Sequence, residues 1–471
     1  MAEAKDSKHP EIKRHNLSEQ FFMDKNIVVV GLGISGLWSA RCLADLGANV
    51  TVSDVKSETQ LNPDYLKMIF EKGILLDAGG HKKGLFLSAD MIIVSPGVSH
   101  DMELLCVAAS KGIPVIGELE LASRLIRIPI IAVTGTNGKS TVTSLLGQLL
   151  ENAGIEAFVG GNIGTPLIAC VARHNRKKYA VVEVSSFQLD TTDTFCPFVS
   201  VLLNISPDHL DRYPDFDAYV RSKLKIFRNQ GKGHYVVLND DDKRLSSLSM
   251  SPDVTVLRYG LEEKNGRCAF IHNGMLTIRI NNTKKHFSLE SFSLKGPHNL
   301  GNLLSVVICA SILGIENTVI QETIDNCKGL PDRLELVAEK DEILFYNDSK
   351  ATNIDAAIKA IMSIERPIIL LAGGRHKGAN YGDLVNIARR KVKMAILMGE
   401  TKEILSKSFK GIIPYILTNN MEEAVSLAFS HAKAGDAILL APACSSFDMY
   451  ENFVQRGNAF KTAIERLVYG S

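Results

Sequence analysis

The residues best suited to chemistry form one run, Thr134-Gly135-Thr136-Asn137-Gly138-Lys139-Ser140-Thr141. An apolar stretch at 128–133 precedes it, and a helix-like stretch at 140–152 follows. At such a strand-to-helix junction, glycines let backbone N–H groups approach an anion closely. The Lys139 ammonium would neutralise the β- and γ-phosphates of ATP, and a Ser140 or Thr141 hydroxyl would reach Mg²⁺. The usual phosphate loop has a glycine five residues before Gly138; Val133 stands there, so this loop is a variant. A chance Gly-Lys-Ser is the bland alternative, and its placement between strand and helix argues against it.

A second glycine run, Gly31-Leu-Gly33-Ile-Ser-Gly36, also follows an apolar strand and opens a helix, and Asp54 ends the next strand. This pattern fits a nucleotide-binding Rossmann-like unit, although a ligand-free tight turn would use glycine too. A chain with its own ATP loop would thus have a second nucleotide-shaped site, with Ser35, neighbouring backbone amides, Asp54 and Gly97 about it. Glu183 ends an apolar strand and His209 lies in a polar turn after the next one. Two such groups beside a phosphate loop suit Mg²⁺ shared with nucleotide oxygens. Arg333 and Asp348 follow a linker near residue 330, where an interdomain nucleotide site would use them.

The elements that must position these residues suit three domains, since 471 residues exceed one core at roughly 150 residues per domain. Strand–turn–helix alternation restarts three times, dividing the chain into a polar tail (1–24) and α/β domains at 25–121, 122–329 and 330–471. Residues 254–295 alternate polar and apolar side chains around Asn265-Gly266 and Asn273-Gly274, which predicts antiparallel hairpins, a small β insert in the central domain. Lys+Arg 53 against Asp+Glu 52 gives no field to attract nucleic acid. The apolar runs are too short to insert in a membrane. The 8 cysteines form no CxxC pair and fit reduced thiols in a cytoplasmic protein.

Further motifs carry a resemblance across nearly the whole chain. Gly160-Gly-Asn162-Ile-Gly164, Glu183-Val-Ser-Ser-Phe-Gln188, Asn204-Ile-Ser-Pro-Asp208-His209, His298-Asn299-x-x-Asn302, Gly329-Leu-Pro-x-Arg333 and Asn347-Asp348-Ser-Lys350-Ala-Thr352-Asn353 join the phosphate loop in order. Together they resemble the Mur ligase family, ATP-dependent amide-forming enzymes of peptidoglycan precursor synthesis. The runs Ser185-Ser-Phe-Gln-Leu, Pro442-Ala-Cys-Ser-Ser446-Phe447-Asp and Asn452-Phe453-x-Gln-Arg456-Gly457 resemble most the branch joining D-glutamate to UDP-N-acetylmuramoyl-L-alanine.

The resemblance implies a Rossmann-like N-terminal domain for the UDP-substrate, a central phosphate-loop ATPase-like domain, and a Rossmann-like C-terminal domain for the amino acid. Residues 135–141 with Asn299, Asn302, Arg333 and Asp348 would bind ATP. The first domain would hold UDP and not NAD. Ser35 and backbone amides would take the diphosphate, Asp54 would lie near the uridine, Gly97 would permit close approach and Asn162 would join them. Thr352, Lys377, Ser446 and Phe453 would receive D-glutamate. Lys139, Glu183, His209 and Lys223 would be catalytic, with Ser140, Glu183, His209 and a carbamylated Lys223 on Mg²⁺. An unmodified lysine repels a cation, whereas a carbamate offers it oxygens; Lys225 is the neighbour with which Lys223 could be confused. A cytoplasmic monomer acting on small molecules is expected. The competing readings are a Mur ligase for another amino acid, a folylpolyglutamate-synthase-like ligase, a nicotinamide-dependent dehydrogenase and an inactive nucleotide-binding protein. The folylpolyglutamate family lacks a domain like residues 25–121. A dehydrogenase would leave the Lys139 loop without work, and an inactive protein would show a damaged site.

Overall fold

The computed structural model describes residues 19–470 except 281, 282, 295, 377 and 379. In the first domain, β1 (Asn26–Val30), β2 (Asn49–Asp54), β3 (Leu75–Ala78), β4 (Met91–Val94) and β5 (Val115–Gly117) form a parallel sheet ordered β3-β2-β1-β4-β5. Alternate residues of β1 and β4 feed two cores. Val29 and Ile93 pack on one face, Val28 and Ile92 on the other, so both strands read as unbroken apolar runs. The strand order reverses between β1 and β4, opening a crevice at their carboxyl ends where ligands bind in such sheets.

The central sheet comprises β6 (Ile130–Thr134), β7 (Ala157–Gly161), β8 (Tyr179–Glu183), β9 (Val199–Leu202), β10 (Tyr235–Asn239), β11 (Thr255–Tyr259), β12 (Arg267–His272), β13 (Met275–Ile280) and β14 (Thr283–Ser288). Its order is β14-β13-β12-β11-β10-β9-β6-β8-β7. The β insert belongs to this sheet. β11 and β12 extend it in parallel, and only β12-β13-β14 is antiparallel. Asn273 (φ 50°) and Gly274 (φ 72°) make the two-residue turn between β12 and β13. Asn265-Gly266 makes no hairpin, because the strands on either side of it run parallel.

The third sheet is β15 (Glu335–Lys340), β16 (Ile343–Asn347), β17 (Ile368–Gly373), β18 (Val392–Met398), β19 (Tyr415–Leu417) and β20 (Ala437–Leu440), ordered β15-β16-β20-β17-β18-β19 with β15 alone antiparallel. Among the described residues no helix is long and apolar enough to cross a membrane.

The first and central domains are joined by the helix Glu118–Leu125, whose acidic first turn is buried. Glu120 accepts the N–H groups of Asp193, Thr194 and Phe195 at 2.9, 2.9 and 3.0 Å, together with Arg124 Nε at 2.7 Å. Glu118 is 1% exposed. Its Oε1 accepts the Ile168 N–H at 2.7 Å and the Gln188 side chain also bonds its carboxyl, while Oε2 has no partner among the described residues. Burial pushes the Glu118 carboxyl up to about 7 against those two hydrogen bonds. This joint is buried and closely bonded.

Candidate active site

The phosphate loop leaves β6 and enters the helix Lys139–Asn152 at Gly138, whose φ is 89°. A side chain there would be strained, and a Cβ would lie 2.5 Å from Asn302 Oδ1, so glycine is required twice over. Asn204, just past β9, fixes the loop by accepting the Asn137 N–H through Oδ1 and donating to the Asn137 carbonyl through Nδ2, both at 2.9 Å. Lys139 Nζ donates to the carbonyls of Gly135 and Thr136 at 3.0 and 2.9 Å, folded over the cradle.

This loop forms one wall of a cleft of about 440 Å³ between the central and third domains. Thr136 to Thr141, Asn299 and Asn302 line it from the central domain; Gly135 contributes backbone behind them. Glu183 ends β8 beside Val133 of β6, so adjacent parallel strands deliver the carboxylate and the loop to the same edge. His209 follows β9 on the other side, at φ 56°, with its ring 4.8 Å from that of Phe187. Glu183 Oε1 accepts from Asn162 Nδ2 at 2.7 Å. Glu183 Oε2 and Ser140 Oγ are buried and, among the described residues, have no hydrogen-bond partner. Two oxygens left open at the phosphate loop suit a hard cation. Among the described residues no cluster of three or more His, Cys, Asp or Glu could hold a metal, so nucleotide oxygens would have to complete its shell.

Lys223, on the helix Phe216–Leu224, is 2% exposed, donates to the Gly135 carbonyl at 2.9 Å and lies 4.6 Å from the centre of the Tyr219 ring. Burial first, and then the neighbouring Lys139 ammonium, push its pKa well below the usual lysine range. Lys225 belongs elsewhere, paired with Asp190 at 2.9 Å.

From the third domain, Arg333, Asp348, Thr352, Ser446 and Phe453 line the same cleft. Burial raises Asp348 to about 7, opposed by the charge of Arg333. Lys350 Nζ lies 3.6 Å from the centre of the Phe453 ring, and burial with Arg333 lowers its pKa to about 8. Lys377 lies outside the described residues.

The expected UDP residues divide. Ser35 opens the helix Ile34–Asp45 and Gly97 follows β4, both at the crevice end of the first sheet. A Cβ on Gly97 would meet no atom within 4 Å, so that position is open toward a ligand. Asp54 is 8% exposed, and its two oxygens accept the Leu32 and Lys56 N–H groups at 2.7 and 2.9 Å. Its carboxylate braces the glycine turn. Asn162 stands in the central cleft on Glu183, apart from Ser35 and Gly97.

Sequence reasoning left out Asn204, Lys350, His298, Asn353 and Asp355. The first four lie inside the recognised motifs, which was the available signal. Among the described residues, His298 Nδ1 has no partner, and burial followed by Lys359 lowers its pKa to about 4.

Comparison with known proteins follows the same three-part division. Residues 25–117 match the Mur ligase MurD-like N-terminal domain, 133–310 the Mur ligase middle domain, and 332–444 the Mur ligase glutamate ligase domain. A protein of Desulfosudis oleivorans named UDP-N-acetylmuramoylalanine–D-glutamate ligase is 44% identical over 95% of this chain and 97% of its own. One of the same name from Geotalea daltonii is 39% identical over 95% and 98%. The MurF ligase of Thermotoga maritima, solved in complex with ADP, superposes with a TM-score of 0.58 at 16% identity over 89% of this chain and 96% of that one, a likeness of fold. With three domain matches in order and near full-length relatives of one name, the chain belongs to the Mur ligase family.

Proposed function

We propose that this chain is the ATP-dependent ligase that adds D-glutamate to UDP-N-acetylmuramoyl-L-alanine in peptidoglycan precursor synthesis. The observation that carries it is one cleft in which the phosphate loop faces Thr352, Ser446 and Phe453, so nucleotide and amino acid meet there. The near full-length relatives carry the name of that reaction. The L-alanyl carboxylate oxygen attacks the γ-phosphorus, ADP leaves, and an acyl phosphate forms. The neutral amine of D-glutamate then attacks the acyl carbon, phosphate departs and the amide nitrogen sheds its proton.

Lys139 holds positive charge at the transferring phosphoryl group. Arg333 and Asp348 act on the nucleotide from the third domain, with Asn299 and Asn302 opposite. Ser140 and Glu183, each with an open buried oxygen, would hold Mg²⁺ with His209; bound there, the ion would neutralise phosphate charge. Lys223, its amine held neutral by burial and Lys139, is suited to react with CO₂ to give a carbamate in the same shell. Ser35 and Gly97 receive the diphosphate end of the donor, Asp54 stands near its uridine, and Asn162 stands where its reacting end arrives. D-glutamate brings two carboxylates, which call for cations and hydroxyl donors; Lys377, Thr352 and Ser446 fill that role, with Phe453 packing beside them. We place the domain joints near 121 and 329, and the enzyme in the cytoplasm as a monomer.

The deciding experiment offers single amino acids to the enzyme with ATP and UDP-N-acetylmuramoyl-L-alanine and measures phosphate release. D-glutamate alone should support turnover; a different preferred amino acid would refute the assignment.

A further inference from the structure

Among the described residues, the third domain grips the phosphate loop through Asn353 and Asp355. Asn353 Nδ2 donates to Asn137 Oδ1 at 3.2 Å and to Asp208 Oδ2 at 3.0 Å, while its own Oδ1 caps the helix Ile354–Ser363 by accepting the Ala356 N–H. In the first turn of that helix, Asp355 Oδ2 accepts from Asn137 Nδ2 at 2.6 Å, from the Ser206 hydroxyl at 3.1 Å and from Lys359 Nζ at 2.7 Å. Asn137 belongs to the loop after β6 and Ser206 to the loop after β9. One carboxylate oxygen therefore holds both central-domain loops from across the cleft.

An anion so near a phosphate site opposes nucleotide charge unless it is neutralised. Lys359, one turn along the helix, supplies that neutralisation and itself lines the cleft. Asp355 is not among the residues that line the cleft. Its partners define its use.

We propose that Asp355 is a positioning residue for the reaction: by holding Asn137 and Ser206 from the third domain, it keeps the phosphate loop in register with the amino-acid site. This rests on reading residues 134–141 as the ATP loop. Registry matters because two reactants held about 3 Å apart react far faster than two held 1 Å further apart. The side chains of the third domain are useful only while this grip is made.

The test is steady-state kinetics of the full chain with each substrate varied in turn. Asp355→Ala should lower kcat/KM for ATP and for D-glutamate about 10²-fold each, the loss of two charge-assisted hydrogen bonds. KM for the UDP-substrate, bound by the first domain, should stay within about twofold on this scale. Asp355→Asn should restore most of the loss, because an amide oxygen still accepts from Asn137 and Ser206. Unchanged kinetics in Asp355→Ala would overturn the proposal, as would a rise in KM for the UDP-substrate equal to those for ATP and D-glutamate, or no restoration by Asn. Should Asp355→Ala not fold, Ser206→Ala removes one bond from the opposite side and should act in the same direction by about tenfold; no change there would overturn it. Absence of ATP-dependent turnover in the unaltered enzyme would overturn the functional reading, and this one with it.

Discussion

Replacing Glu118 with Gln should make the protein more stable, and increasingly so as pH rises. The carboxyl is 1% exposed, with one oxygen bonded to Ile168 and the other without a partner among the described residues, an arrangement that suits the neutral acid. Its pKa stands at about 7 against the ordinary 4.5. A carboxyl whose pKa is raised on folding binds its proton more tightly in the folded state. The stability it contributes is whole below pH 4.5 and is lost as pH rises through about 7. Between pH 5.5 and 8.5 the wild type should lose about 2 kcal/mol through this group, at 1.36 kcal/mol per pH unit up to its folded pKa. Gln keeps the acceptor for Ile168 and has no proton to lose, so the gap between the two proteins should widen by that amount. Urea unfolding of both proteins at the two pH values, with equal slopes confirming comparable transitions, measures it directly. A stability difference that stays constant with pH would refute the reasoning.

Three further outcomes are expected. Lys139→Ala should lower kcat by about 10³-fold, roughly 4 kcal/mol of transition-state stabilisation; near-normal turnover would remove the ATP loop from its assigned role. Lys223→Ala should be nearly inactive and partly rescued by formate or acetate, while Lys225→Ala, whose partner is Asp190, keeps its activity; full activity of the first without additive would exclude a carbamate. Calorimetry should detect binding of UDP-N-acetylmuramoyl-L-alanine and none of NADH, the reverse pattern reassigning the first domain.

The phosphate loop, Glu183 and His209 were legible because their chemistry is local: a glycine run, a carboxylate at a strand end, a histidine in the next turn. The strands most easily found were those buried on both faces, such as β1, β4 and β10, where apolar residues run unbroken. β3 and β7 are sheet edges with half-exposed residues, and short edge strands carry no such run. At Asp54 a carboxylate after a second strand can bond a ribose or brace a turn, and its two backbone partners become visible only in the fold. Asp355 and Glu118 had no local pattern at all. Their roles come from groups between 50 and 218 positions away in sequence, which no spacing rule reaches.

The joint built on Glu118 and Glu120 also makes the first two domains a ruler. The crevice of the first sheet, proposed for UDP, and the phosphate loop stand on separate sheets, and buried carboxylates bonded across the joint hold those sheets at a set spacing. A donor gripped by its diphosphate must then present its carboxylate at a fixed reach. One additional amino acid lengthens the donor by about 3.3–3.6 Å, more than a reacting pair tolerates. The product of the reaction is one residue longer than its substrate. The enzyme would therefore decline to extend its own product by length alone, with no residue devoted to recognising the added glutamate.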